Sequence, residues 1–173
     1  MRKLIISAFI MIFILLFTFF NYEIVKKTRA RESFEERIAS LPAFSFMTLT
    51  DVPFSSESIE EGPVLIVRFD PGCEHCQYEL SAIAKSNIPD SETKLILVTS
   101  ADKNSVVKFL EPLDFLGSRN VIPLLDTAGR FGRLFGADYV PSNYIYDKEL
   151  KLVKVLQGEY KIETILKYLQ EGE

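Results

Sequence analysis

The apolar positions of the chain fall into runs of two kinds. From Val64 to Phe69 it reads Val-Leu-Ile-Val-Arg-Phe, and from Lys94 to Thr99 it reads Lys-Leu-Ile-Leu-Val-Thr. Continuous apolar runs of this length, bounded by turn residues such as Gly62-Pro63 and Pro71-Gly72, are those of strands buried on both faces. Between them Cys76, Leu80, Ile83 and Ala84 recur at helical spacing and stop before Pro89, which predicts a helix from near Cys73 to near Asn87. A helix over Asp102 to Leu110, ended by Pro112, comes next, followed by a short strand over Val121 to Leu125 and a brief helix or turn over 127–136. Strands over Ser142 to Tyr146 and Leu150 to Leu156 flank an Asp147-Lys148 turn, and a helix over Ile162 to Leu169 closes the chain. Ahead of all these, Leu41, Phe44, Phe46 and Leu49 suggest one more short strand. Alternating strands and helices that give way to a hairpin and a last helix predict an α/β fold, a mixed central sheet with helices on both faces.

The N-terminal pattern is different. Leu4 to Phe20 is an uncharged run of 17 residues whose only polar members are Ser7 and Thr18. As a helix it spans roughly 25 Å, near the lower limit for crossing a bilayer. No small-x-small cleavage site follows it and no Cys lies near residue 20, so the expectation is a retained transmembrane helix rather than a removed leader or a lipoprotein signal. The domain reading is an anchor over 1–22, a charged helical spacer over 23–40 and a folded domain over 41–173. Arg2 and Lys3 argue for an inside N-terminus, while Lys26, Lys27, Arg29 and Arg31 lie beyond the apolar run and pull the other way.

Composition and charge narrow the classes. The 173 residues, 47% hydrophobic and 25% charged, suit one ordinary domain rather than a disordered chain. Six of the 20 Lys and Arg fall within the first 31 residues against Glu23 alone, leaving 14 Lys and Arg against 23 Asp and Glu, a net of −9, for the rest. An acidic domain without a basic stripe is no partner for nucleic acid. With only two Cys, three positions apart, a disulfide scaffold is excluded, because so small a loop constrains the unfolded chain little.

Those two Cys carry the strongest chemical signal. Cys73-Glu74-His75-Cys76 follows a predicted strand and opens a predicted helix. There the helix dipole and unpaired amide N–H groups favour a thiolate at Cys73, and the i to i+3 spacing brings Cys76 within reach to close a disulfide. A protonated His75 would favour the thiolate and Glu74 would oppose it. A structural zinc site needs four ligands, and His75 is the one further soft ligand. Haem attachment needs His directly after the second Cys, where Gln77 stands. Glu79 reads either as a solvated helix glutamate or as a proton acceptor for Cys76, and His75 either as exposed helix surface or as a tuner of the cysteines.

The strand Pro-Val-Leu-Ile-Val-Arg-Phe before Cys-Glu-His-Cys, Val140-Pro141 before Ser-Asn-Tyr-Ile-Tyr-Asp, and the terminal hairpin and helix together resemble the thioredoxin fold. The resemblance covers about residues 41–170, and its branch is similar to the membrane-anchored thiol-disulfide oxidoreductases of the TlpA/ResA type. It implies a thioredoxin-like mixed sheet and catalysis by Cys73 and Cys76. It also implies a cis proline at Pro141 beside the disulfide, with the backbone of Val140 pairing with an extended substrate chain. Glu79, three after Cys76, matches that branch's glutamate near the active site. Gly72 where the family usually has Trp, Glu74-His75 between the cysteines, Ser142 in place of Thr, and Val67 at the site of a buried carboxylate are departures. His75 resembles the His of the oxidase DsbA. No diffusible cofactor and no resident metal are expected. The expected partners are protein thiols and disulfides, a membrane electron donor or acceptor, and the lipid bilayer. Because a dithiol site of this kind needs a compartment where disulfides persist, the expected placement is single-pass in a bacterial inner membrane, with the domain facing the periplasm. A reading from another class keeps the fold as a non-enzymatic module that binds a partner protein, or a soft metal such as copper or zinc through Cys73, His75 and Cys76.

Overall fold

A computed structural model describes residues 2–60, 62–136 and 139–172, with the side chains of residues 2–10, 12, 14, 24, 27 and 29–33 outside the description. The chain divides into two compact units, Met1–Arg37 and Ile38–Glu173. The first consists of the helix α1, Arg2–Ile38, up to its last residue. Among the described residues no helix is long and apolar enough to cross a membrane. Most of the apolar run expected to form the anchor over 1–22 falls on side chains outside the description. Those that are described, among them Met11, Phe13, Leu15, Phe17 and Phe20, are all exposed.

The second unit is built on a seven-stranded sheet in the order β2-β1-β5-β4-β3-β6-β7. Its strands are β1 (Ser45–Thr48), β2 (Pro53–Ser55), β3 (Val64–Arg68), β4 (Lys94–Thr99), β5 (Val121–Leu125), β6 (Ser142–Tyr146) and β7 (Leu152–Gln157). The three strands β3, β4 and β5 are parallel, while β1, β2, β6 and β7 pair antiparallel, which makes the sheet mixed. Every residue of β3 is buried, as its apolar run requires of a strand covered on both faces.

Alternation along β3 separates two cores. Leu65 and Val67 join Leu95, Leu97 and Ile145 in a cluster with Leu80 and Ile83 of α2 (Glu74–Ala84) and Ile165 and Leu169 of α5 (Ile162–Glu171). Val106 and Leu110 of α3 (Lys103–Leu110) extend it. Ile66 and Arg68 point the other way, and Arg68 meets a group of aromatics from α4 (Phe131–Phe135), β1 and β6. There Phe131 and Phe135 stack at 4.5 Å, Tyr144 meets both edge-on, and its hydroxyl donates to the Phe135 carbonyl at 2.9 Å. This accounts for an arginine inside an apolar strand. The Arg68 guanidinium lies over the Phe131 ring at 5.5 Å, and its Nη2 donates to Ser100 Oγ at 2.9 Å.

Among the differences from the sequence expectation, three bear on the sheet and the site. Strand β2 was not anticipated; it pairs with β1 at the sheet edge, where its proline removes no central ladder bond. Strand β7 starts at Leu152 rather than Leu150, because Leu150 takes a left-handed φ of 58° in a turn whose Asp147 Oδ1 accepts the N–H groups of Glu149 and Lys151. Helix α2 starts at Glu74, with Cys73 as its extended N-cap, and ends at Ala84.

Candidate active site

The C-terminal end of β3 delivers the cysteines. Asp70 Oδ1 accepts the Gly72 N–H at 2.7 Å and the Asp70 carbonyl accepts the Cys73 N–H at 3.1 Å, so Asp70-Pro71-Gly72 form a tight turn into α2. Gln77 Nε2 braces the turn from the helix by donating to the Pro71 carbonyl at 2.8 Å. Cys73 therefore sits at the positive end of α2, and among the described residues no side chain caps that end. It is half-buried, and its Sγ lies 3.9 Å from the Val140 carbonyl oxygen.

Cys76 is fully buried one turn on. Burial pushes its thiol up to about 12; the Asp70 N–H, at 3.5 Å from Sγ, opposes this, while a hydrogen bond with Cys73 and the charges of Cys73 and Glu79 add to it. The two sulfurs are thus unlike, one accessible at a helix start and one sealed in the core.

The Val140-Pro141 peptide is cis, and Pro141 is buried. Glu79 is 2% exposed, so it is no solvated helix residue. Its Oε1 accepts from Asn143 Nδ2 and its Oε2 from the Tyr160 backbone N–H, each at 2.8 Å. Burial holds its carboxyl above the ordinary range and Glu159 adds to this, against the pull of the two hydrogen bonds. His75 is exposed, and its Nδ1 lies 2.7 Å from Glu159 Oε2. Glu74 shares with His75, Gln77, Tyr78 and Glu159 the lining of a shallow groove beside α2.

The structure thus gathers the sequence-named residues at one end of the sheet and adds residues the sequence reading did not name. The segment from Gly158 to Tyr160 reaches three of them. Gly158 donates its N–H to the Pro141 carbonyl at 2.8 Å from a φ of 93° that suits glycine, Glu159 pairs with His75, and Tyr160 bonds Glu79. Asn143 was legible only as a polar residue near the start of a predicted strand, two places after Pro141. Among the described residues no group of three or more His, Cys, Asp or Glu is arranged to hold a metal ion.

No family model matches the chain, and no curated protein matches it in sequence. Solved structures do. A secreted disulfide oxidoreductase of Mycobacterium tuberculosis, homologous to E. coli DsbE, superposes with a TM-score of 0.65 at 16% identity, over 79% of this chain and 98% of that one. The exposed lipoprotein thioredoxin Etrx1 of Streptococcus pneumoniae is 22% identical over 75% of this chain and 98% of its own, with a TM-score of 0.58. StoA of Bacillus subtilis is 15% identical over 75% of this chain and 98% of its own, with a TM-score of 0.57. These likenesses establish a thioredoxin-like α/β fold for the part of the chain they cover.

Proposed function

We propose that the chain is a thiol-disulfide oxidoreductase of the TlpA/ResA type, tethered to a membrane and acting on protein substrates outside the cytoplasm. The observation that carries the reading is the asymmetric pair at the start of α2: Cys73 half-buried beside the Val140 carbonyl and a cis Pro141, Cys76 sealed beneath it. In the reducing direction the Cys73 thiolate attacks a substrate disulfide, forms a mixed disulfide and releases one substrate thiolate. Cys76 then gives up its proton and attacks Cys73 Sγ, which releases the second substrate thiolate and leaves the Cys73–Cys76 disulfide. Glu79 takes the Cys76 proton. It is the buried carboxylate one turn along the same helix, and its raised proton affinity suits it to deprotonate so weakly acidic a thiol. The Val140 backbone lines up an extended substrate chain, and Glu74 and His75 set the local charge around Cys73. A membrane donor restores the dithiol.

The tether reading rests on the apolar run from Leu4 to Phe20 and on the exposed Met11, Phe13, Leu15, Phe17 and Phe20, which water does not favour on a helix surface and lipid does. A bacterial inner membrane with the folded domain in the periplasm meets the need for a compartment in which disulfides persist.

Insulin reduction by the full chain tests the activity, with Cys73→Ser as the control. Turnover by the wild type and none by the variant is expected, and no turnover by either would overturn the reading. A C-terminal alkaline phosphatase fusion tests the placement; an inactive fusion beside an active cytoplasmic reporter would place the domain on the other side.

A further inference from the structure

Asn143 is the one fully buried amide on the core face of β6, among apolar neighbours: Val67 and Leu156 are its partners in register, and Ile145 follows it on the same face. Burying an amide there costs free energy unless both of its ends are satisfied. Its Nδ2 is satisfied by Glu79 Oε1 at 2.8 Å, but its Oδ1, also buried, has no hydrogen-bond partner among the described residues.

The free acceptor faces a chemical need. Ionised, Glu79 only accepts hydrogen bonds; protonated, it becomes a donor as well and needs an acceptor in a site where it is 2% exposed. A half-turn of the Asn143 amide about its last bond exchanges Nδ2 and Oδ1, which brings an acceptor to the place from which Glu79 Oε1 is now touched at 2.8 Å. The Tyr160 N–H holds Glu79 Oε2 through the exchange.

We propose that Asn143 is the positioning residue for the proton on Glu79, its amide donating to the carboxylate and, turned over, accepting from the carboxyl. This rests on the acid–base role proposed for Glu79. During resolution Cys76 S–H passes its proton to Glu79 as Cys76 Sγ bonds Cys73 Sγ. The Cys73–substrate S–S bond breaks, and its electron pair leaves on the substrate sulfur as a thiolate. The enzyme dithiol is oxidised and the substrate disulfide reduced, and the Glu79 proton then passes to the leaving thiolate or to water. With the turn of Asn143, Glu79 keeps a partner before and after the transfer, so its buried carboxyl is not pinned in one protonation state. The other titratable groups facing Glu79 are Cys76 on its own helix and Glu159 from the loop before α5.

The test uses the full chain with Cys73→Ser, which leaves Cys76 as the only thiol, and follows its capture by iodoacetamide as a function of pH. The logarithm of the rate rises with pH, interrupted by a step where Glu79 loses its proton, because the new negative charge disfavours the Cys76 thiolate. Adding Glu79→Gln should erase the step. Asn143→Leu and the smaller, equally uncharged Asn143→Ala remove the amide from both forms of Glu79, but the charge-assisted bond to the carboxylate is the stronger of the two losses, so proton affinity rises. Each should move the step up by at least one pH unit, a tenfold gain in proton affinity or 1.36 kcal/mol. A residue that only filled space would alter the unfolding temperature and leave the step in place. If Asn143→Leu does not fold, Asn143→Ala decides. A step that Glu79→Gln erases but both Asn143 variants leave at the wild-type pH overturns this inference and spares the role of Glu79. A wild-type profile with no step overturns both, while insulin reduction judges the redox reading separately.

Discussion

The sealed position of Cys76 has a measurable consequence in its reactivity. Its thiol is pushed from an ordinary 9.0 to about 12, and burial is the largest cause. At pH 8 a shift of three units lowers the thiolate fraction about a thousandfold, equivalent to roughly 4 kcal/mol. A more basic thiolate is also the better nucleophile, with a Brønsted slope of about 0.4–0.5, which returns a factor of roughly 16–32. For Cys76 in Cys73→Ser this sets an upper bound on the effect of the raised pKa, capture by iodoacetamide about thirty- to sixtyfold slower than for an ordinary exposed cysteine, before any loss from restricted access. Replacing Cys73 also removes its hydrogen bond and its charge, the lesser causes of the shift, so burial decides the result. Capture is read by mass spectrometry at a series of pH values, with the protein unfolded in denaturant as the reference. A folded protein that reacts as fast as the unfolded one would refute the reasoning, since it would mean that Cys76 is not held in the core.

Three further expectations follow from the same geometry. The Glu79 carboxyl has a folded-state pKa raised above its unfolded value of 4.5, so the folded state binds the proton more tightly and stability falls as pH rises from about 4.5 through the raised value. Denaturant unfolding at pH 5 and pH 8 should show Glu79→Gln gaining on the wild type as pH rises; a gain at the lower pH instead would reverse the sign. Phe131→Ala empties a fully buried site stacked on Phe135 and covered by Arg68, and should cost roughly 3–5 kcal/mol in denaturant unfolding. The His75–Glu159 pair is exposed, at 72% and 42%, so Glu159→Gln should change stability by less than about 1 kcal/mol, an effect that fades with added salt. Its redox effect has a defined sign: removing a negative charge near the dithiol favours the thiolate, so the reduction potential should rise, by no more than about 20 mV, in glutathione equilibration.

The parts of the fold that the sequence announces are those where burial dictates local pattern. Strands β3 and β4 are nearly continuous apolar runs because both faces are covered, and the observed bounds of β3, β4, β5 and β6 lie within a residue of those expected. Strand β2 has three residues, one of them proline, and lies at the sheet edge with β1 as its one partner strand, so nothing in its own composition marks it. The cysteine pair was legible because its chemistry and its place at a strand-to-helix turn are both local. What surrounds it was not. Glu79 meets Asn143 and the Tyr160 amide across 64 and 81 positions of chain, and His75 meets Glu159 across 84. The sequence reading therefore weighed His75 as a charge acting on Cys73, whereas the structure ties its ring to a carboxylate. Arg68 was likewise opaque, since its ring partner Phe131 is supplied by α4.

The central claim is that Cys73 attacks and Cys76 resolves, and trapping tests it most directly. The full chain carrying Cys76→Ser, mixed with a disulfide-bonded protein substrate, should accumulate a mixed disulfide through Cys73 that thiol reductants release, because the resolving sulfur is gone. Cys73→Ser should form none. Adducts that collect on Cys76 in the second variant, or on neither cysteine in the first, would contradict the account.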